Sequence, residues 1–418
     1  MSKQRTFILG LDAAVPELID RFIAEGQLPN IAKLIERGAR ARPFPALPTH
    51  TPVNWATIGT GAWPGTHGIT GFGMIDKTGP LNVTTSSFDT GMLQAPTLWQ
   101  IAADAGLKSL VLKWGGPTFP ITVTNGLQVD GCFCVLCEHE IAGPVLFSND
   151  TENGGAVVAW TPAMGWANEP VSTKPALSAP LTLGLDDETV TLHGLLIAAG
   201  DDYDTLLLSL TPDTDVAFAT LALGEWADWQ TLTFPTRGPG TVRLKWSDLI
   251  VEGDTITPRI YATQIMPLAG WCGPEDVSAE LVENVGPFLQ RPGYNQRGAV
   301  YGAWAGSETM MQEIDYQHEW YARSMEYLCE RDDYDLVFLH THAPDYIQDA
   351  IMPEAEPLTS PDDARFAESI ELVARTYASC DRMVGHIVDH IASPDDLIVI
   401  VSDHGCIGYP ENRDNHNI

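Results

Sequence analysis

Carboxylates, an imidazole and a hydroxyl stand at the ends of apolar runs in this chain. Asp12 closes TFILGLD, Asp345 follows DLVFLHTHAPD, and Asp403 and His404 close LIVIVSDHG. Thr51 lies between the first two, in PTHTPVNW. Oxygen and nitrogen donors of these types hold divalent cations, and a metal beside a hydroxyl helps make it an alkoxide nucleophile. Open α/β sheets bring such residues together beyond the carboxyl ends of their strands, however far apart they are in sequence.

Each residue also has a plainer reading. Asp12 alone is equally a helix cap or a loop aspartate. Pro52 suits a first helical position, so Thr51 reads as an N-cap that needs no chemistry. The same position sets the hydroxyl at the positive end of a helix, where a phosphoryl group is stabilised. Asn54 can donate its amide to a phosphoryl oxygen, and Thr49 is a competing hydroxyl before the cap. Asp345 and Asp349 share a face and chelate one cation if HAPDYIQDA is helical; otherwise they form a solvated acidic turn. His340 and His342 share one strand face and are read as supporting the site rather than as ligands. Asp403 and His404, adjacent where a strand ends, can serve two neighbouring metals. Two segments read as decoys. CFCVLCEH, with Cys132, Cys134, Cys137 and His139, lacks separated CxxC pairs and reads as buried cysteines. GTGAWPGTHG lacks a Walker lysine and GxGxxG, so it reads as a turn, with His67 a loop histidine.

Strand and helix signals alternate around these residues. TFILGLD, SLVLKW, DLVFLH and LIVIVS read as strands. PELIDRFIAEG, LPNIAKLIERG (closed by Gly38), VNWATIGTG, TLWQIAADAG, HEWYARSMEYLCERDD and a long helix from Asp363 to Ser393 read as helices. Ile370, Val373, Tyr377, Val384, Ile387, Val388 and Ile391 are its expected core face. This alternation predicts an α/β fold with a parallel sheet. From Gly155 to about Leu268 the runs are short, alternating and rich in Thr, Gly, Pro and Val, the pattern of an antiparallel sandwich or meander. The expected division is residues 1–150 and 271–418 as two halves of an α/β core, with 151–270 an inserted β-rich subdomain.

The 418 residues carry Lys+Arg 23 against Asp+Glu 55, a net charge of −32. That balance opposes sequence-independent nucleic-acid binding and docking on anionic membranes. It fits a solvated acidic surface, and a small anionic substrate still binds where metals reverse the local field. No run reaches the roughly 20 apolar residues that span a bilayer. MSKQRTFILGLD reads as a first strand rather than a signal peptide, and seven scattered cysteines imply no disulfide framework, so a cytoplasmic setting is expected.

Taken together, LGLDAAVPELI, LPNIAKLIERGA, PTHTPVNWATIGTGAWPGTHGI, PTLWQIAADAG, APDYIQD and LIVIVSDHG resemble the type I phosphodiesterase/nucleotide pyrophosphatase branch of the alkaline phosphatase superfamily. The resemblance implies a central mixed, mostly parallel sheet between helices and two divalent ions, commonly Zn2+. It implies hydrolysis of phosphodiester or nucleotide pyrophosphate bonds in a small phosphorylated substrate, through a covalent phospho-threonine. By position, Asp12, Thr51, Asp403 and His404 resemble the ligands of one metal, with Thr51 also the nucleophile. Asn54 resembles the phosphoryl-contacting asparagine, and Asp345 a ligand of the other metal. The family has histidine where this chain has Asp349, and a further histidine well downstream of DHG. The chain ends at NRDNHNI with no closing strand or helix, so it reads as truncated, with His416 as a possible substitute. An all-carboxylate second site would favour Mn2+ or Mg2+ over Zn2+. Thr51-Pro-Val-Asn54 lacks the arginine of a sulfatase motif. A phosphomutase of the same superfamily, or a non-catalytic relative that keeps the fold, is the alternative.

Overall fold

The computed structural model describes residues 4–75, 79–80, 82–131, 139–149, 155–290, 292, 306–355 and 366–406. The apolar run Thr6–Leu11 is a strand inside a six-stranded sheet. Across the sheet the strands run Cys272–Gly273, Gly126–Val129, Ser109–Leu112, Leu336–Thr341, Thr6–Leu11 and Leu397–Val401. Only Cys272–Gly273, at one edge, is antiparallel. Helices supply the crossovers, so the inner strands are apolar on both faces. Leu11 pairs with Thr341, Gly10 with Val401 and Leu339 with Leu112, which aligns the carboxyl ends of four strands.

The helices form where the sequence signals them. Pro16–Ala24 and Pro29–Arg37 start with proline in the first turn and bury Phe22 and Ile31. Leu98–Asp104 begins with a capping box between Thr97 and Gln100. Gly306–Arg331 precedes Leu336–Thr341, and Ala343–Ala355 follows it. Phe366–His386 buries Ile370, Val373, Tyr377 and Val384, then loosens into a π turn at Ile387–Ile391. Ile387 is still buried but Val388 and Ile391 are only half-buried, so the helical face ends about one turn earlier than the spacing suggests. Among the described residues no helix is long and apolar enough to cross a membrane.

The chain divides into two units: Met1–Glu138 with Ala269–Gly286 and Ile314–Ile418, and His139–Leu268 with Pro287–Glu313. The second is β-rich. It contains a five-stranded antiparallel sheet centred on Leu177–Leu185, Glu188–Ile197 and Thr205–Ser209. It also contains a four-stranded sheet built on the Leu244–Glu252/Thr255–Ala262 hairpin and a three-stranded sheet from Gln230–Phe234, Gly238–Val242 and Met266–Pro267. Leu181, Leu192, Leu206, Trp246 and Ile260 belong to its core.

A buried histidine ties helices to the site end of the first unit's sheet. His318 shares hydrogen bonds with Ser379 Oγ (2.8 Å) and with Thr341 Oγ1 at the end of its strand (2.7 Å). Burial, assisted by Arg382, pushes its imidazole down to about 3. The folded protein therefore holds His318 neutral while the unfolded chain takes up a proton near its ordinary value of about 6.5. Stability should fall as pH drops from about 6.5 toward 3, by up to about 1.4 kcal/mol per pH unit. Denaturant midpoints should fall more steeply from neutral to mildly acidic pH in the wild type than in His318→Gln; parallel curves would contradict a neutral buried imidazole.

Candidate functional site

Asp12 lies where the central strand ends, and glycine lets its partner reach it. A Cβ on Gly10 or Gly115 would meet the Trp55 ring at 2.6 or 2.7 Å, so only glycine admits that indole. Trp55 then donates its Nε1 proton to Asp12 Oδ2 at 2.9 Å. The turn after Asp12 is held amide by amide: Ala13 N donates to Asp403 Oδ1 (3.1 Å), Ala14 N to Ser402 Oγ (2.8 Å) and Val15 N to the Tyr377 hydroxyl (2.9 Å). Gln348 Nε2 donates to Ala13 O (2.9 Å). These bonds hold Ala13 at φ 52°, a left-handed conformation that costs a non-glycine residue of order 1 kcal/mol or more.

Around Asp12, Thr51, Asp403 and His404 come together, all buried. The helix Thr51–Thr60 begins one residue earlier than Pro52 suggests, with His50 as its cap residue. Thr51 is therefore not the N-cap, and its Oγ1 lies 3.1 Å from His404 Nε2. The amides of Val53 and Asn54 both donate to His50 O and Pro52 has none, so the helix offers chiefly its dipole to an anion. His404 Nδ1 donates to Gly405 O at 2.9 Å, which turns its Nε2 toward the site. That nitrogen faces Asp403 Oδ2 at 3.3 Å and Asp12 Oδ1 at 3.6 Å.

The strand Leu336–Thr341 brings His340 and His342 directly to Asp12, not behind the site as the sequence suggests. His340 Nε2 lies 3.0 Å and His342 Nδ1 2.8 Å from Asp12 Oδ2. His342 Nε2 lies 3.0 Å from Asp345 Oδ2. The i,i+2 spacing announced a shared face; nothing in it said that this face meets Asp12. Asp345 and Asp349 both fall on the helix Ala343–Ala355, but Asp345 is buried and Asp349 is exposed. Asn54 is engaged with the loop before its helix. Its Oδ1 accepts from Ala46 N at 2.7 Å, and its Nδ2 makes longer bonds to the carbonyls of Ala46, Pro48 and His50 at 3.2 to 3.4 Å. His67 is buried in the short helix Pro64–His67 and lies 3.0 Å from Thr57 Oγ1, which makes it a structural histidine rather than a loop residue. Cys132, Cys134, Cys137 and His416 lie outside the described residues.

Burial tends to raise the Asp12 carboxyl, but the charge and hydrogen bonding of His342, the His340 hydrogen bond and His404 outweigh it and hold it well below the usual carboxylate range. His342 is the counterpart: burial opposes its charge, yet Asp12 and Asp345 raise it well above the ordinary imidazole value. Burial and repulsion from Asp12 push Asp403 well up. Desolvation and the nearby Asp345 push Asp349 up to about 7, and the repulsion by Asp345 keeps that direction despite the residue's exposure.

The donor set fits a divalent cation. Asp12 Oδ1, Asp345 Oδ1 and Asp403 Oδ2 are buried acceptors with no hydrogen-bond donor. Two groups, Asp12 with Asp403 and His404 and Asp12 with His340 and His342, each gather ligand atoms within 4.8 Å of one another. Oxygen and imidazole donors suit Zn2+ and its borderline relatives. Loading a cation must empty the raised carboxyls of their protons, so Zn2+ binding should release protons and weaken as pH falls from about 8 to about 5. Titration calorimetry in two buffers of different ionisation enthalpy checks this; equal heats and a pH-independent affinity would contradict it.

A family described as type I phosphodiesterase / nucleotide pyrophosphatase matches residues 6–213 and 261–418. Venom phosphodiesterase 2 and Venom phosphodiesterase 1 of Crotalus adamanteus are each 27% identical over 170 residues, 40% of this chain and 18% of theirs. Among solved structures, phosphonoacetate hydrolase from Sinorhizobium meliloti 1021, in complex with phosphonoformate or phosphonoacetate, aligns with a TM-score of 0.43 at 15% and 14% identity. That alignment covers 96% of this chain and 56% of the hydrolase chain.

Proposed function

Because this chain belongs to the type I phosphodiesterase/nucleotide pyrophosphatase family, we propose that it hydrolyses phosphodiester or nucleotide pyrophosphate bonds of small substrates, with Thr51 as nucleophile. The observation that carries this reading is the 3.1 Å approach of Thr51 Oγ1 to His404 Nε2, beside two buried carboxylates. Two buried carboxylates and an imidazole gathered at one point suit a divalent cation, and Asp12, Asp403 and His404, with Thr51, would hold it. A divalent ion supplies there a Lewis acid that lowers the hydroxyl pKa and neutralises phosphoryl charge.

The protein's own groups do the rest. Thr51 Oγ1 gives up its proton to water and attacks phosphorus, a new P–O bond forms to the threonine, and the P–O bond opposite it breaks to release a phosphate, or an alkoxide that takes a proton from water. Water then hydrolyses the phospho-threonine, and Thr51 recovers its proton. The Thr51–Thr60 helix presents its positive end to the phosphoryl oxygens. Asn54 Nδ2, held only by long bonds to loop carbonyls, can exchange them for a phosphoryl oxygen. Trp55 keeps one side of Asp12 covered, so water does not compete for its oxygens.

Thr51→Ala should lower turnover of an aryl phosphodiester by at least about 10³-fold while Asp12, Asp403 and His404 still retain metal. Thr51→Ser should keep measurable turnover, and rapid quenching of the wild type should trap phosphate on Thr51. Turnover by Thr51→Ala at the wild-type rate would remove Thr51 from the mechanism.

A further inference from the structure

We propose that Gln348 is a positioning residue for this centre: it fixes the turn after Asp12 and, through the Ala13 amide, sets which oxygen of Asp403 faces the site. The inference rests on the reading that Asp12, Asp403 and His404 hold a divalent ion. It gives a role to a side chain whose own bonds all go to the protein.

Ala13 is the joint of that turn. At φ 52° it lies in the left-handed region, which an alanine leaves unless its surroundings hold it there. The peptide before it donates Ala13 N to Asp403 Oδ1 (3.1 Å), which leaves Asp403 Oδ2 facing His404 Nε2 (3.3 Å). The peptide after it is gripped at both ends. Ala14 N donates to Ser402 Oγ (2.8 Å), and Ala13 O accepts from Gln348 Nε2 (2.9 Å). Relaxing φ to negative values rotates one peptide against the other, so either the amide leaves Asp403 or the carbonyl leaves Gln348. The grip on the carbonyl therefore keeps the amide on Asp403 as well.

Gln348 has the chemistry and the support for this. It is fully buried on the helix Ala343–Ala355, three residues past Asp345. Its amide nitrogen spends one proton on Ala13 O and the other on Pro344 O at 2.8 Å. Its Oε1 accepts from the Tyr377 hydroxyl at 3.4 Å, and that hydroxyl accepts from Val15 N at 2.9 Å. The Tyr377 ring is itself set edge-on against Phe22 at 5.5 Å. Only a side chain with two donors on one arm and an acceptor on the other meets all three partners, which is what a primary amide offers. A carboxylate there would turn an oxygen against two carbonyls, and a methionine would leave both carbonyls without their amide donor. Groups that orient a ligating carboxylate carry about 10- to 100-fold of metal affinity or activity without touching the ion.

The test separates aim from stability. Gln348→Met keeps the length of the side chain and removes both polar arms. In metal-free protein, hydrogen–deuterium exchange read by mass spectrometry should show the Ala13 and Ala14 amides exchanging at least about 10-fold faster than in wild type, with Thr6–Leu11 unchanged. Zn2+ affinity, measured by competition with a chelator where circular dichroism shows both proteins folded, should weaken by about 10- to 100-fold. At saturating Zn2+, kcat should fall while KM changes little. Adding Ala13→Gly, which takes the left-handed conformation without strain, should return most of the lost affinity. Tyr377→Phe removes one hydroxyl only and should move exchange and affinity the same way by about 3- to 10-fold; it decides the matter if Gln348→Met does not fold. A folded Gln348→Met with wild-type exchange at Ala13 and Ala14, or with unchanged Zn2+ affinity and kcat, would overturn the proposal, even if its melting temperature drops. So would a double variant no better than Gln348→Met. A wild type that binds no Zn2+ would instead bring down the metal reading of the site, and this proposal with it.

Discussion

The buried charge of Asp12 is what the surrounding architecture has to satisfy. Removing a carboxylate from water costs several kcal/mol unless the protein replaces the lost hydration. Here Trp55, His340 and His342 supply it on one oxygen. The other oxygen has no hydrogen-bond donor and lies 3.6 Å from His404 Nε2, which also faces the Asp403 carboxylate. The compensation is lopsided, and it defines where positive charge belongs. His342 is drawn toward its charged form and Asp403 away from its own because both are buried against the Asp12 and Asp345 carboxylates, which attract the imidazole and repel the carboxyl.

Strand order delivers the partners. Because Thr6–Leu11 lies between Leu336–Thr341 and Leu397–Val401, Asp12 is flanked on one side by His340 and His342 and on the other by Asp403 and His404. A charge at a strand end inside a parallel sheet is thus reached from both neighbours, as sites in such folds are. The connecting turn is fixed from three directions through Ala13, Ala14 and Val15. The Thr51 helix is attached at the same point through Trp55, which reaches Asp12 only because Gly10 and Gly115 leave room for its ring. Fold and site are therefore one construction: the contacts that close the sheet end also aim the donors.

Much of this was legible in the sequence, for identifiable reasons. Asp12, Asp403 and His404 end apolar runs, and a strand's end is where a polar side chain can leave the core. Pro52 marked the helix start within one residue. The alternating runs past Gly155 read as strands because period-two patterning survives without any knowledge of their partners. Other parts needed the third dimension. Trp55 reads as ordinary core until its indole nitrogen is seen on Asp12. His340 and His342 announce a common face but not what it meets. Four residues on a helix return about 40° past a full turn, and here that offset accompanies a buried Asp345 and an exposed Asp349. The hold of Tyr377 and Gln348 on the turn after Asp12 spans more than three hundred residues and leaves no local trace.

The central claim is that Asp12 is the carboxylate on which the cations are organised. Anomalous diffraction at the zinc edge, from crystals grown with Zn2+, tests it most directly. The account predicts an anomalous peak at Asp12, against Asp403 and His404 and beside Thr51. Peaks in a metal-loaded crystal that lie away from Asp12 would contradict it.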